Sequence, residues 1–250
     1  MKILVTFALE PEFAPWRAMR NFRQAPGSAN YETEIGDAQV RVVLTGAGPA
    51  AAQKSIARAI ESGADVCISS GLAGSLRHEL RIGEVLAART VRELKTNRIA
   101  ESDPILLTAA LQAGAREVSS FCTSDEVVLN ADGKQRLGRT SDAVEMESFA
   151  ILRAAAERSI PAIAMRAISD LASEDMPIDF NRVFDGEGKL DSARLAMHVA
   201  RAPHRLPAMI RLGRASRSAA KNLAICLEAL VTSLEANRSA LHPIREAVTA

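Results

Sequence analysis

The sequence predicts an α/β fold: a single-domain three-layer sandwich with a central twisted mixed β-sheet flanked by helices, plus a C-terminal helical extension. Three observations carry this. At 250 residues the chain has the length of one large α/β core. Short β-rich runs alternate with helical patterns through its first two thirds. Beyond them, apolar residues recur at three- and four-residue spacing, as on an amphipathic helix.

The first strand is read over Ile3 to Ala8, an apolar run that ends at Glu10 and Glu12 and falls well short of the roughly 18 residues a membrane span needs. A second, Val40 to Thr45, enters Gly46-Ala47-Gly48-Pro49 and then a helical stretch. A third, Val66 to Ser70, opens on Gly71-Leu72-Ala73-Gly74-Ser75. Both glycine turns bring backbone within reach of a ligand. Ala143 to Met146 is strand-like, and Ser148 to Ser159 reads as a helix that stops before Ile160-Pro161. Glu145, Met146 and Glu147 therefore fall at a strand-to-helix junction. The last strand is Ala162 to Ile168. Ligands of open α/β sheets bind beyond the carboxyl ends of the strands, where Glu12, Gly46, Ala73, Glu147 and Asp170 all fall. From Met176 the pattern is irregular, with Asp185-Gly186-Glu187-Gly188 a turn, and it becomes helical from about Asp191 to the mid-230s. Leu223, Cys226, Leu227, Leu230, Val231 and Leu234 form the apolar stripe of that helix. The domain is read as residues 1–235, with 176–235 the helical extension and 236–250 a flexible tail.

Composition narrows the function classes. Basic and acidic residues number 31 and 30, so no global field recruits nucleic acid. Cys67, Cys122 and Cys226 are too few and too scattered for a disulfide framework or a metal site, and a reducing cytoplasm is the expected location. His78, His198, His204 and His242 are equally scattered; no metal and no cofactor is expected. Arg194, Arg201, Arg205, Arg211, Arg214, Arg217 and Lys221 form a basic stretch without a single Asp or Glu. It is either a solvated helix face or a peripheral contact with anionic membrane. No aromatic side chain interleaves with these charges, which argues against nucleic acid.

Two segments resemble a known family. Val144-Glu145-Met146-Glu147-Ser148 and Met165-Arg166-Ala167-Ile168-Ser169-Asp170 look like the signatures of the methylthioadenosine/S-adenosylhomocysteine nucleosidases, within the purine nucleoside phosphorylase superfamily. The opening through Ala8-Leu9-Glu10-Pro11-Glu12 and the loop Ser70 to Leu76 are similar as well, so the resemblance covers residues 1 to about 175. It implies hydrolysis of the N-glycosidic bond of a 5′-modified adenine nucleoside, with release of adenine. Such chemistry must protonate a poor leaving group and stabilise an oxocarbenium-like sugar, and carboxyls do both. By the resemblance, Asp170 protonates the base and Glu12 activates water. Glu147, Met146 and Ala73 bind the ribose; Val127, Val128, Glu145 and Ser169 bind the base.

The departures matter as much. Leu72 stands where a small hydroxyl residue is usual, Val127 replaces a stacking aromatic, and the insertion after the glycine loop is shortened to roughly Arg89 to Asp103. A different or larger 5′ group fits these changes. Asp185 to Asp191, Arg201-Ala-Pro203 and Leu206 to Leu212 look like the C-terminal part of hopanoid-associated phosphorylases, relatives implicated in removing adenine from the lipid nucleoside adenosylhopane. The alternative reaction is accordingly phosphate-dependent. Its nucleophile site would draw on Gly46, Gly74, Ser75 and Arg77. Glu12 favours water, because a carboxylate repels phosphate. A catalytically silent nucleoside-binding protein is the second alternative. The family's habit of forming homo-oligomers implies a dimer, for which the apolar helix stripes would supply an interface.

Taken singly, each residue has a plainer role. Glu12 could be a first-turn helix charge, Asp170 a helix cap and Met146 core; only the joint motif lifts them.

Overall fold

A computed structural model describes residues 1–24 and 30–237. In chain order the elements are β1 (Lys2–Phe7), α1 (Glu10–Met19), β2 (Arg23–Gln24), β3 (Asn30–Ile35), β4 (Ala38–Leu44), α2 (Pro49–Glu61), β5 (Val66–Ser69) and β6 (Leu72–Ser75). Then follow β7 (Val85–Glu93), β8 (Ile99–Glu101), α3 (Pro104–Gln112), β9 (Arg116–Thr123), α4 (Ala131–Leu137), β10 (Ala143–Glu145), α5 (Ser148–Ala156), β11 (Ala162–Asp170), α6 (Ser192–Arg201) and α7 (Leu206–Ala236).

The strands form one mixed sheet in the order β2-β3-β4-β1-β5-β11-β6-β10-β9-β7-β8. Its centre is parallel and covered on both faces, which is why β1 and β11 read as continuous apolar runs. Alternate residues of β1 serve different layers: Ile3, Val5 and Phe7 join the core beneath α1, α3 and α7, while Leu4 joins the one beneath α2 and α5. The nine-residue β11 changes partners along its length. Ala162 to Ala164 pair with β5, Ala167 to Asp170 with β6 across a register shift, and Ala164 to Ala167 run antiparallel to β7. Strands β11, β6, β10, β9 and β7 thereby close on one another, so half of the sheet curls into a small barrel.

Helix starts follow local chemistry. The Asp103 carboxylate accepts the N–H groups of Ile105 and Leu106 at 2.9 and 3.0 Å to begin α3, with Pro104 at its first position. The C-terminal helical stretch is broken at Ala202-Pro203, because proline lacks an N–H and biases the residue before it away from helix. The stretch Arg89 to Asp103 holds the end of β7, β8 and the cap of α3.

One expectation is corrected here. Leu223, Cys226, Leu227, Leu230, Val231 and Leu234 are all buried within the chain, where α7 packs on α1, α3 and β11. That stripe is therefore not free to form a dimer interface. Of the expected tail, 236–250, Ala236 is the last residue of α7 and Asn237 its C-cap, and residues 238–250 lie outside the described residues.

Candidate active site

The carboxyl ends of β1, β10 and β11, together with Leu72 to Gly74 of β6, converge on a cavity of about 210 Å³. Two groups of titratable side chains stand in its wall, joined by β6. The Leu72 N–H donates to Glu12, the Ala73 carbonyl lies 3.2 Å from the Ser169 hydroxyl, and Gly74 packs beneath Asp170. Leu72 and Gly74 are two residues apart on β6, so the strand meets the two groups at successive positions along one face.

The first group is Glu12, Glu145, Glu147 and Arg166. Glu12, in the first turn of α1, accepts the N–H groups of Ala8 and Leu9 at 2.9 and 3.0 Å and that of Leu72 at 3.0 Å. It is thus a helix-terminal charge and a pocket-wall carboxylate at once. Glu147 precedes α5 and accepts the Gly48 N–H at 2.8 Å. Gly48 reaches it with φ of +95°, a conformation suited to glycine. Arg166, 1% exposed in the middle of β11, donates to Glu145 at 2.6 Å and stands 3.6 Å from Glu147.

Three carboxylates share this one guanidinium, and the imbalance shows in their proton affinities. Burial, and then the neighbouring Glu145 charge, pushes Glu147 up to about 8. Enclosure behind the pocket wall also raises Glu12, against the pull of the N–H groups of Leu9 and Leu72. A proton is therefore retained in this group near neutrality.

Glu145, expected to bind the base, lines the cavity, but its carboxylate is already engaged within the protein. Its carboxylate is filled by Arg166, by the Thr123 hydroxyl and by the N–H groups of Glu147 and Ser148 at 2.9 and 2.7 Å. It caps α5 and holds Arg166 in place.

The second group is Asp170, Ser169 and Lys134. Asp170 ends β11 and no helix follows it, so it is not a helix cap. Its Oδ1 is 2.7 Å from the Ser169 hydroxyl and its Oδ2 is 2.5 Å from Lys134 Nζ. Ser169 is thereby spent on orienting Asp170. Beside them Val127 and Val128 line the cavity, and both main-chain polar groups of Val127 are held by the Asn181 amide at 2.7 and 3.1 Å. Met146 and Ala73 also line it, and the outer wall is apolar, from Met176, Phe180, Phe184 and Leu212.

The proposed phosphate donors are elsewhere or already used. Ser75 and Arg77 form a local turn, with the Arg77 guanidinium 2.8 Å from Asp142, outside the cavity lining. The Gly46, Ala47 and Gly48 N–H groups donate to Ala8 O, Gly188 O and Glu147 at 3.0, 2.8 and 2.8 Å. Gly188, with φ of +72°, brings the 185–189 turn so close that a Cβ there would sit 2.2 Å from the Ala47 oxygen. Gly74 does line the cavity, and it gives Asp170 room, since a Cβ there would lie 2.9 Å from Asp170 Oδ2.

Sequence reasoning gave no role to Lys134, Arg166 or Asn181. A lone arginine inside an otherwise apolar strand signals a buried ion pair; Lys134 and Asn181 carry no comparable local signal. Among the described residues no group of three or more His, Cys, Asp or Glu is placed to hold a metal ion.

Comparison with known proteins agrees with this architecture. The chain is similar to the 5′-methylthioadenosine/S-adenosylhomocysteine nucleosidase of Tolumonas auensis, 27% identical over 78% of this chain and 97% of the relative. It is 29% identical to the Shewanella loihica nucleosidase over 72% and 91% of the two chains. The fold matches the Neisseria meningitidis nucleosidase crystallised with methylthio-immucillin-A, with TM-score 0.71, 24% identity and coverage of 93% and 99%. It matches Helicobacter pylori futalosine hydrolase with TM-score 0.72, 17% identity and coverage of 94% and 98%. Residues 2–201 match the Phosphorylase superfamily, to which the chain belongs.

Proposed function

We propose that this enzyme hydrolyses the N-glycosidic bond of a 5′-substituted adenine nucleoside and releases adenine. The observation that carries the reading is that three carboxyl groups line one cavity, Glu12 and Glu147 beside Arg166 and Asp170 beside Ser169 and Lys134. The names of the curated relatives support it.

In this reading the ribose lies over Met146 with its hydroxyls donating to Glu147, and the purine lies between Val127 and Val128 with its N7 toward Asp170. As the C1′–N9 bond lengthens, positive charge grows on the sugar beside Glu12 and Glu147 and negative charge on the purine beside Asp170. Glu12 orients a water for attack and takes its proton. Water is favoured over phosphate because the glycine-turn N–H groups already serve acceptors of this chain, and the Leu72 N–H serves Glu12. The test is adenine release from a panel of adenosines with 5′ groups from hydroxyl to long alkyl. No release from any of them refutes the reading.

The apolar outer wall, completed by Leu212 of α7, suits an apolar 5′ group. A peripheral membrane contact of the α6–α7 face belongs to the same proposal. Leu190, Met197, Leu206 and Ile210 are 37 to 47% exposed there, among seven exposed cations from Arg194 to Lys221, of which Arg194 pairs with Asp191 at 3.2 Å. Flotation with anionic vesicles tests it, and protein that stays in solution makes the face a solvated one. No helix among the described residues is long and apolar enough to cross a membrane. A cytoplasmic homodimer completes the proposal, to be checked by fractionation and sedimentation.

A further inference from the structure

Lys134 belongs to no motif, and the reaction written above does not use it. It is 0% exposed, on α4, and its ammonium finds three acceptors: Asp170 Oδ2 at 2.5 Å, Leu171 O at 2.8 Å and Glu174 O at 3.0 Å. An ammonium withdrawn from water persists only where it is paired and hydrogen-bonded, and this one is paired with the carboxyl that faces the base. On the other side, the Ser169 hydroxyl has one proton and two acceptors within reach, Asp170 Oδ1 at 2.7 Å and Ala73 O at 3.2 Å. Both Asp170 oxygens thus already face a donor of this chain, Lys134 Nζ at Oδ2 and the Ser169 hydroxyl at Oδ1. The proton that the departing purine needs must rest on a neighbour.

We propose that Lys134 stores that proton and Asp170 relays it, an assignment that rests on the nucleosidase reading above. As the C1′–N9 bond breaks, its electron pair passes to the purine, and N7 takes a proton through Asp170. Asp170 is replenished from the Lys134 ammonium, which becomes the neutral amine. The water oxygen bonds to C1′ and its proton passes to Glu12. Lys134 then takes up one proton from solvent and Glu12 releases one, so atoms and charge balance over the cycle. When Asp170 carries the proton, the Ser169 hydroxyl turns to the Ala73 carbonyl. Because Lys134 acts through Asp170, it is a positioning residue and not a group that touches substrate.

The test compares two leaving groups on the same 5′-substituted ribose: adenine, which needs protonation, and 4-nitrophenolate, which departs without it. In Lys134→Met, adenine release is expected to fall by about 100-fold or more while aryl riboside cleavage stays within about fivefold of wild type. The ratio of the two rates within one preparation does not depend on how much of the protein is folded. Lys134→Gln, which keeps a donor without the charge, serves where Met does not fold. Adenine release by the wild type with equal losses on both substrates in the variants makes Lys134 a clamp for α4 and overturns this inference alone. A wild type that cleaves the aryl riboside but releases no adenine overturns the nucleosidase reading and the relay with it.

Discussion

Raising the pH from 5 to 8.5 should weaken the free enzyme, and Glu147 should be the main reason. Its carboxyl is pushed from the ordinary 4.5 to about 8 by burial and by Glu145. The folded state therefore holds a proton that the unfolded chain gives up near pH 4.5. The stability this contributes is fully present below that pH and is lost as the pH rises through the folded value. Each unit in this window removes up to about 1.4 kcal/mol, giving a ceiling on the order of 5 kcal/mol. Glu12, raised by its own enclosure, acts in the same direction. Urea unfolding of the wild type and of Glu147→Gln, followed by circular dichroism at half-unit pH intervals, measures the effect. Gln keeps an oxygen for the Gly48 N–H but does not titrate, so its stability curve should be flatter by at least half. Parallel curves would refute the claim that Glu147 retains a proton.

Other outcomes follow from the two charge groups. Asp170→Asn should lower kcat by about 10²- to 10⁴-fold and, by leaving Lys134 buried without its counter-charge, also destabilise the fold by about 3–5 kcal/mol. Adding Lys134→Met should restore melting temperature but not adenine release; a double variant no more stable than the single one contradicts the pairing. Arg166→Met should cost a similar 3–5 kcal/mol in urea unfolding, since it leaves Glu145 unpaired, and a loss under about 1 kcal/mol would show that the guanidinium is dispensable. Gly188→Ala should lower the melting temperature and raise KM, because its Cβ meets the Ala47 oxygen and displaces the turn that presents Gly48 to Glu147. Unchanged KM would show that the 185–189 turn does not support the site.

How much of this was legible in the sequence depended on how local each signal is. The five strands read from the sequence match β1, β4, β5, β10 and β11 to within two residues at either end, because short apolar runs stopped by polar residues or glycine carry the information themselves. The expected last strand extends two residues to Asp170, held by pairing with β6 that no local pattern encodes. Strand β9, Arg116–Thr123, is half polar and lacks a clean alternation; its place comes from partners on either side. The closure of β11 on β7 is a long-range pairing with no local trace. In the site, Glu12, Glu147 and Asp170 were visible through motifs. Glu145, Met146 and Glu147 do line one cavity together, as their junction position suggested, but the pairing of Glu145 with Arg166 is a contact across the sheet that no local pattern shows. Ser75 and Arg77 stand outside the cavity lining, since a glycine-rich loop has many ways to turn and the sequence does not say which. Lys134 was hidden in a seven-residue helix without periodicity, and its meaning comes only from the approach of α4 to the end of β11.

The central claim, cleavage by water at a site whose phosphate donors are already taken, is tested most directly by the phosphate dependence of turnover. Purified enzyme depleted of phosphate should release adenine from a competent 5′-substituted nucleoside at the same rate as with phosphate added, and mass spectrometry should find the free reducing sugar in both. Turnover that requires phosphate and yields the sugar 1-phosphate would contradict the account.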